Sequence, residues 1–234
     1  MKERKEQNFD VFAETYREAH TQNIKYISGT DSYYFAEYKV KALQEFEENK
    51  NLTVLDLGCG DGVTEIFFEK YFPQFIIQGI DVSAKSIEQA QKKNLSNSSF
   101  QLYDGHTIPY GTESFDVIFV AGVLHHIDEK DRQHAVNEMF RVLKPGGRLY
   151  LFEHNPLNPL TRYLVNTCEF DEGVKLLYSK ECKKLLINSG FRIKKLIYTV
   201  FFPRKQFFKL MIPMEKYLRS IPLGGQYYFR AVKD

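Results

Sequence analysis

The chain has 234 residues and a mass of 27.5 kDa; 43% hydrophobic and 26% charged residues suit a buried core and exclude a disordered chain. A net charge of +2 hides a split: residues 1–150 hold 17 Lys+Arg against 23 Asp+Glu, and residues 151–234 hold 15 against 7. The longest uncharged apolar run, Val117–Leu124, falls far short of the ~20 residues that span a bilayer, the N-terminus is charged rather than apolar, and the dispersed Cys59, Cys168 and Cys182 suggest neither a disulfide framework nor a zinc site, so a cytoplasmic enzyme or binding protein is expected.

Residues 8–48 read as two helices. Phe9, Phe12, Ala13 and Tyr16 recur at helical spacing, as do Tyr34, Phe35, Tyr38, Ala42, Leu43 and Phe46, with Gly29–Ser32 between the two sets. From residue 52 strands and helices alternate. Thr53–Leu57, Phe75–Ile80, Ser99–Tyr103, Phe115–Val120 and Arg148–Glu153 read as strands, and Val63–Tyr71, Ser83–Asn94 and Asp131–Leu143 as helices. Lys144-Pro145-Gly146-Gly147 should stop the last of these helices. Apolar strands separated by helices imply a parallel sheet covered on both faces. Beyond Glu153 the pattern loosens. Asn155–Tyr178 reads as an insertion, Ser179–Ser189 as a helix, and Phe191–Phe202 and Gln226–Val232 as strands. Pro203–Leu223 mixes prolines, basic residues and large apolar residues.

The chemistry concentrates at strand ends. Val54-Leu55-Asp56-Leu57-Gly58-Cys59-Gly60-Asp61-Gly62 forms a strand-to-helix turn whose glycines permit close approach of a ligand to backbone. A dinucleotide fingerprint would need a glycine where Val63 stands, and two acids, Asp56 and Asp61, suit a cation better than a pyrophosphate. Asp81 ends the second strand, where a carboxylate can accept from a ribose diol, and Asp104 ends the third, beside Gly105. Acids at successive strand ends mark the edge where open α/β sheets bind ligands.

On these residues, together with Ser114–Ile118, Val123–Ile127 and Arg141–Gly147, the chain resembles the class I S-adenosylmethionine-dependent methyltransferases across residues 52–153. The resemblance implies a Rossmann-like seven-stranded sheet of order 3-2-1-4-5-7-6, its last strand antiparallel, with helices on both faces. It implies three parts: residues 1–50 as a helical cover, 51–154 as the cofactor core, and 155–234 as the rest of the domain, with acceptor-side insertions at 155–178 and 203–223. It implies S-adenosylmethionine as cofactor, held by Asp56, Gly58, Cys59, Gly60 and Asp61 around the methionine end and by Asp81 at the ribose. Val82, Asp104 and Gly105 would meet the adenine, Ala121 the sulfonium side, and Tyr16 would close over the cofactor. The sulfonium is itself the electrophile, so no metal is called for.

His154 and His126 stand as candidate bases, since both follow strands expected to face the acceptor. The expected reaction is methyl transfer to a small or medium-sized acceptor, at oxygen in preference to nitrogen or carbon. Arg192–Arg219 carries eight Lys+Arg and one acid, Glu215. It reads either as a pocket cover with a solvated basic face or as a contact for an anionic, lipid- or sugar-linked acceptor at a membrane surface. Nucleic acid is not an expected partner. Two alternatives remain open: a catalytically silent cofactor-binding protein of the same fold, and a nicotinamide-dependent oxidoreductase.

Overall fold

A computed structural model describes residues 32–168, 171 and 173–234. Tyr16 and the first expected helix lie outside these residues. The described residues form seven strands: β1 (Thr53–Leu57), β2 (Ile76–Asp81), β3 (Ser98–Leu102), β4 (Phe115–Ala121), β5 (Leu143–His154), β6 (Arg192–Thr199) and β7 (Gln226–Val232). The helices are α1 (Ser32–Leu43), α2 (Val63–Tyr71), α3 (Ala84–Gln91), α4 (Arg132–Val142), α5 (Pro159–Thr167), α6 (Ser179–Asn188) and the short α7 (Glu215–Leu218).

The strands make one sheet of order β3-β2-β1-β4-β5-β7-β6. Neighbours from β3 to β5 pair in parallel, and β7 runs antiparallel to both β5 and β6. This is the expected order and the expected reversal. Alternation along each strand feeds two cores. Leu55, Ile118, Val120, Leu149 and Leu151 pack on one face with α4 and α6. Val54, Val117, Phe119, Tyr150 and Phe152 pack on the other, with α1 and α2. Burial on both faces explains why the central strands read as continuous apolar runs.

Two segments depart from the sequence reading. Lys144–Gly147 does not stand between helix and strand. It belongs to β5, opposite an irregular register between Phe115 and Val117. Backbone bonds from Gly146 N to Lys233 O (2.7 Å) and from Lys233 N to Gly147 O (3.1 Å) hold the segment in the sheet. The second is α5, inside what read as an open insertion. Asn158 caps it by accepting from Thr161 N at 3.0 Å, and Pro159 opens its first turn. A proline there gives up only an N–H that would lack a helical partner, so the Asn-Pro pair starts this helix rather than breaking it.

The parallel strands end along one edge of the sheet. β6 ends there too, and β7 starts there, because Gln226 pairs with His154 on one side and Thr199 on the other. Every functional candidate at a strand end is therefore drawn to this edge.

Candidate functional site

The turn after β1 is held by its neighbour strand. Gly58 N and Cys59 N both donate to Ile80 O, at 2.8 and 3.1 Å. Gly58 has φ +79°, and a Cβ there would lie 2.4 Å from Val123 Cγ2, so only glycine fits. Asp81 then braces the turn from β2. Its carboxylate accepts from Gly60 N and from Ser83 N, each at 2.9 Å. Gly60 has φ +56°, yet a Cβ there would meet nothing within 4 Å. The turn thus presents open space over a backbone held from below, which suits close approach by a ligand.

Asp56 is buried beneath this turn, and its Oδ2 has no placed hydrogen-bond partner among the described residues. Burial raises its carboxyl to about 7. Buried Glu65 faces it from α2, and burial with the nearby Asp56 raises Glu65 well above the usual carboxylate range. Two neighbouring buried acids under a glycine turn, Glu65 holding its proton, leave Asp56 as an acceptor for a cationic group. Asp61 instead pairs with Lys93 at 3.6 Å. Cys59 is buried, and burial pushes its thiol up, so its contribution is through the backbone.

Val82 is exposed, and a Cβ on Gly105 would approach its Cγ1 to 3.0 Å. Asp104 Oδ1 accepts from His106 N and Thr107 N, each at 2.8 Å, which fixes the loop after β3. Those amides hold the Asp104 carboxyl below its ordinary value. The residues expected at a nucleoside therefore sit together at the ends of β2 and β3. The orphaned Asp56 oxygen, the open space at Gly60 and the braced Asp81 all fit the expected cofactor.

A cavity of about 280 Å³ continues from Asp56, Gly58 and Ala121 toward His125, His126 and His154. Ser32, Phe35, Ala36 and Lys39 close it from α1, at the spacing of one helix face. Residues 200–204 and α5 close the other side. Here the structure gathers groups that the sequence reading did not rank. His125 Nδ1 lies 2.6 Å from Glu153 Oε2, while Glu153 Oε1 accepts from Leu124 N at 2.8 Å. Asp171 Oδ1 lies 3.8 Å from His125 Nε2 and 3.5 Å from His126 Nε2.

These neighbours set the charges. Burial opposes protonation of His125, but the Glu153 and Asp171 carboxylates outweigh it and raise the imidazole to about 9. Burial and the neighbouring His125 push His126 down to about 3 and His154 to about 4. Asp171 is held at about 2, its burial outweighed by the hydrogen bond to His125. Burial also lowers Lys39 to about 8. Lys39 has no hydrogen-bond or ion-pair partner among the described residues. A lysine on the cavity face of an aromatic helix was the signal for it. Asp171 reads from its sequence context as a surface acid of the 155–178 insertion; the structure corrects this by burying it against the two imidazoles, 45 residues after His126.

Residues 54–147 match a family model described as a methyltransferase domain. An uncharacterized methyltransferase of Bacillus subtilis, YcgJ, is 36% identical over 118 residues, covering 48% of this chain and 45% of that protein. The demethylmenaquinone methyltransferase of Thermotoga maritima is 37% identical over 105 residues, covering 45% of this chain and 44% of that protein. The chain spans about half the length of the curated relatives it matches. A solved SAM-dependent methyltransferase of Thermotoga maritima, described as a possible histamine N-methyltransferase, shares the fold. It has a TM-score of 0.69 over 97% of this chain and 100% of that one, at 19% identity. The glycine turn and the strand order thus accompany a match to a methyltransferase domain over residues 54–147, and the whole chain shares its fold with solved SAM-dependent methyltransferases.

Proposed function

We propose that the protein methylates a small or medium-sized acidic acceptor at oxygen. One observation carries this reading. The cavity runs from the glycine turn to a half-buried lysine and three imidazoles. Bound S-adenosylmethionine supplies an electrophilic methyl group on a sulfonium. Gly58, Gly60 and Asp56 would hold its methionine end, with Asp81, Val82, Asp104 and Gly105 at its nucleoside.

The chain's own work is to place the acceptor. Alignment of two reactants in one site can supply ~7–11 kcal/mol of a barrier. Lys39, on the cavity wall and without a hydrogen-bond or ion-pair partner among the described residues, attracts an ionised group of the acceptor. Gln226 Oε1 is buried without a partner and accepts from a donor on it. His154, at the end of β5 and on the cavity wall, takes the proton of a hydroxyl. Phe35, Phe201 and Phe202 line the cavity and exclude water.

Two measurements test the reading. Calorimetry with S-adenosylhomocysteine should show one site per chain. A screen of phenols and hydroxy acids with methyl-labelled cofactor should then give turnover. Binding with no transfer to any acceptor would mark a cofactor-binding protein instead. Lys39→Met should raise the acceptor KM at least ~10-fold, the worth of one charge-assisted bond, and Lys39→Arg should restore part of it. An unchanged KM in Lys39→Met would remove the anion contact.

A specific observation favours a lipid-borne form of the acceptor. Phe207, Leu210 and Tyr217 are exposed beside Lys209 and Lys216, on the segment that follows the cavity-lining residues 200–204. Exposed aromatic and basic side chains together suit the surface of an anionic bilayer.

A further inference from the structure

We infer that His125, His126 and Asp171 form a binding site for a divalent transition-metal ion, zinc by the preference of its donors, facing the acceptor cavity. The inference deepens the oxygen-methylation reading and rests on it only for the purpose of the ion, not for its binding.

Three observations support the site. First, one donor atom from each residue lies within 4.8 Å of the other two. The two separations from Asp171 Oδ1, 3.5 and 3.8 Å, exceed ordinary hydrogen bonds. They approach the ~3–3.5 Å between ligands bound at about 2.0–2.1 Å to one zinc ion. Closing the widest edge, at most 4.8 Å, takes a shift of no more than about 1.3–1.8 Å shared between two side chains. Second, His125 is already backed in the manner of a metal ligand. Glu153 holds its Nδ1, and Leu124 N holds Glu153, so Nε2 is left to face Asp171. A carboxylate on the far nitrogen fixes the tautomer and ring orientation that a ligand needs. Third, all three residues line the cavity. An ion there keeps a coordination position open toward the acceptor, as catalytic sites with three protein ligands do.

The charge inventory agrees. Glu153 and Asp171 flank a single imidazole, with side-chain exposures of 0% and 6%. Two carboxylates in so dry a place hold His125 as a cation in the absence of metal, and an ion on Nε2 would take over that positive charge. Two imidazoles and one carboxylate select zinc, iron(II) or manganese(II) rather than calcium or magnesium. The ion would polarise an acceptor hydroxyl and favour its ionised form. His154, whose ring centre lies 5.3 Å from that of His125, is near enough to take the proton.

The experiment uses tag-free wild-type protein. Metal content by mass spectrometry should approach one ion per chain after growth in zinc-supplemented medium. Stripped protein should rebind Zn²⁺ in competition with a chromophoric chelator. His126→Gln and Asp171→Asn should each weaken Zn²⁺ at least ~10-fold, and Glu153→Gln should do so by about 10–100-fold through His125. If an aspartate variant does not fold, His126→Gln alone decides, because that side chain is not part of the core. Metal well below one ion per chain, or Zn²⁺ affinity unchanged in His126→Gln, overturns the site. Calorimetry with S-adenosylhomocysteine on stripped wild-type protein separates the two readings. Cofactor bound without metal removes only the metal site, while metal bound without cofactor removes the methyltransferase reading.

Discussion

Asp81 braces the glycine turn and is proposed to hold the cofactor's ribose with the same carboxylate. It already accepts from Gly60 N and Ser83 N, and lone pairs remain for a diol. Asp81→Ala should weaken S-adenosylhomocysteine binding by about 10-fold or more in calorimetry, and unchanged affinity would take Asp81 out of the site. Glu65 shows the opposite side of acid placement. Its raised folded-state value means the native chain keeps a proton that the unfolded chain has lost above about pH 4–5. Stability from this residue is therefore lost as pH rises from 5 to 8, by at most about 1.4 kcal/mol per pH unit. Glu65→Gln should flatten that slope and raise Tm by roughly 2–4 °C at pH 8, with less gain at pH 5. Equal gains at both values would show that Glu65 is ionised in the fold. The glycine turn and Asp81 were readable in sequence because each sits at a strand end with a fixed offset. Lys39 and Asp171 were not, because their roles come from what packs around them.

At the scale of elements, the segment over the cavity hangs on one acid. Glu215, the lone acid of Arg192–Arg219, opens α7 and reaches back to the chain after β6. It accepts from Phe201 N and Phe202 N, each at 3.0 Å, and takes Arg204 through both oxygens at 2.9 and 2.8 Å. Arg204 also reaches Tyr34 on α1, so one acid links both covers of the pocket. Glu215→Ala strands a mostly buried guanidinium and frees two amides, a larger loss than that of a surface pair. Acceptor KM should rise about 10-fold or more, with S-adenosylhomocysteine affinity changed less than about twofold; parallel losses in both would show a global effect instead. Strand positions were legible because burial on both faces leaves an unbroken apolar run. The helix α5 was not, because two prolines spoke for a loop until their place in a first turn was known.

Across the whole molecule, the charge split takes on a different meaning. Several basic side chains of the second half are engaged within the fold: Arg192 with Asp234, Arg204 with Glu215 and Arg219 with Glu45. On the proposed reading, recognition of an acidic acceptor then falls to Lys39 on the cavity wall, and surface lysines serve approach. Salt separates the two, because it screens exposed charges within ~8–10 Å and leaves buried ones nearly untouched. Vesicles containing phosphatidylglycerol should retain the protein in about 0.05 M salt and release it in about 0.5 M, while pure phosphatidylcholine vesicles should not bind it. No sedimentation with anionic vesicles at low salt would leave the acceptor a soluble molecule. No helix among the described residues is long and apolar enough to cross a membrane.

The reversal of β7 has a consequence for diversification. β6 leaves the sheet and β7 enters it at the same edge, so the long connection between Thr199 and Gln226 must land over the pocket. Gly225 N bonds Val200 O at 2.9 Å and pins both feet of this arch beside the last strand pair. Changes in its length or composition alter the pocket wall and leave the pairing beneath intact. The arch is the natural locus for libraries that seek new acceptors, with the nucleoside side of the scaffold held constant.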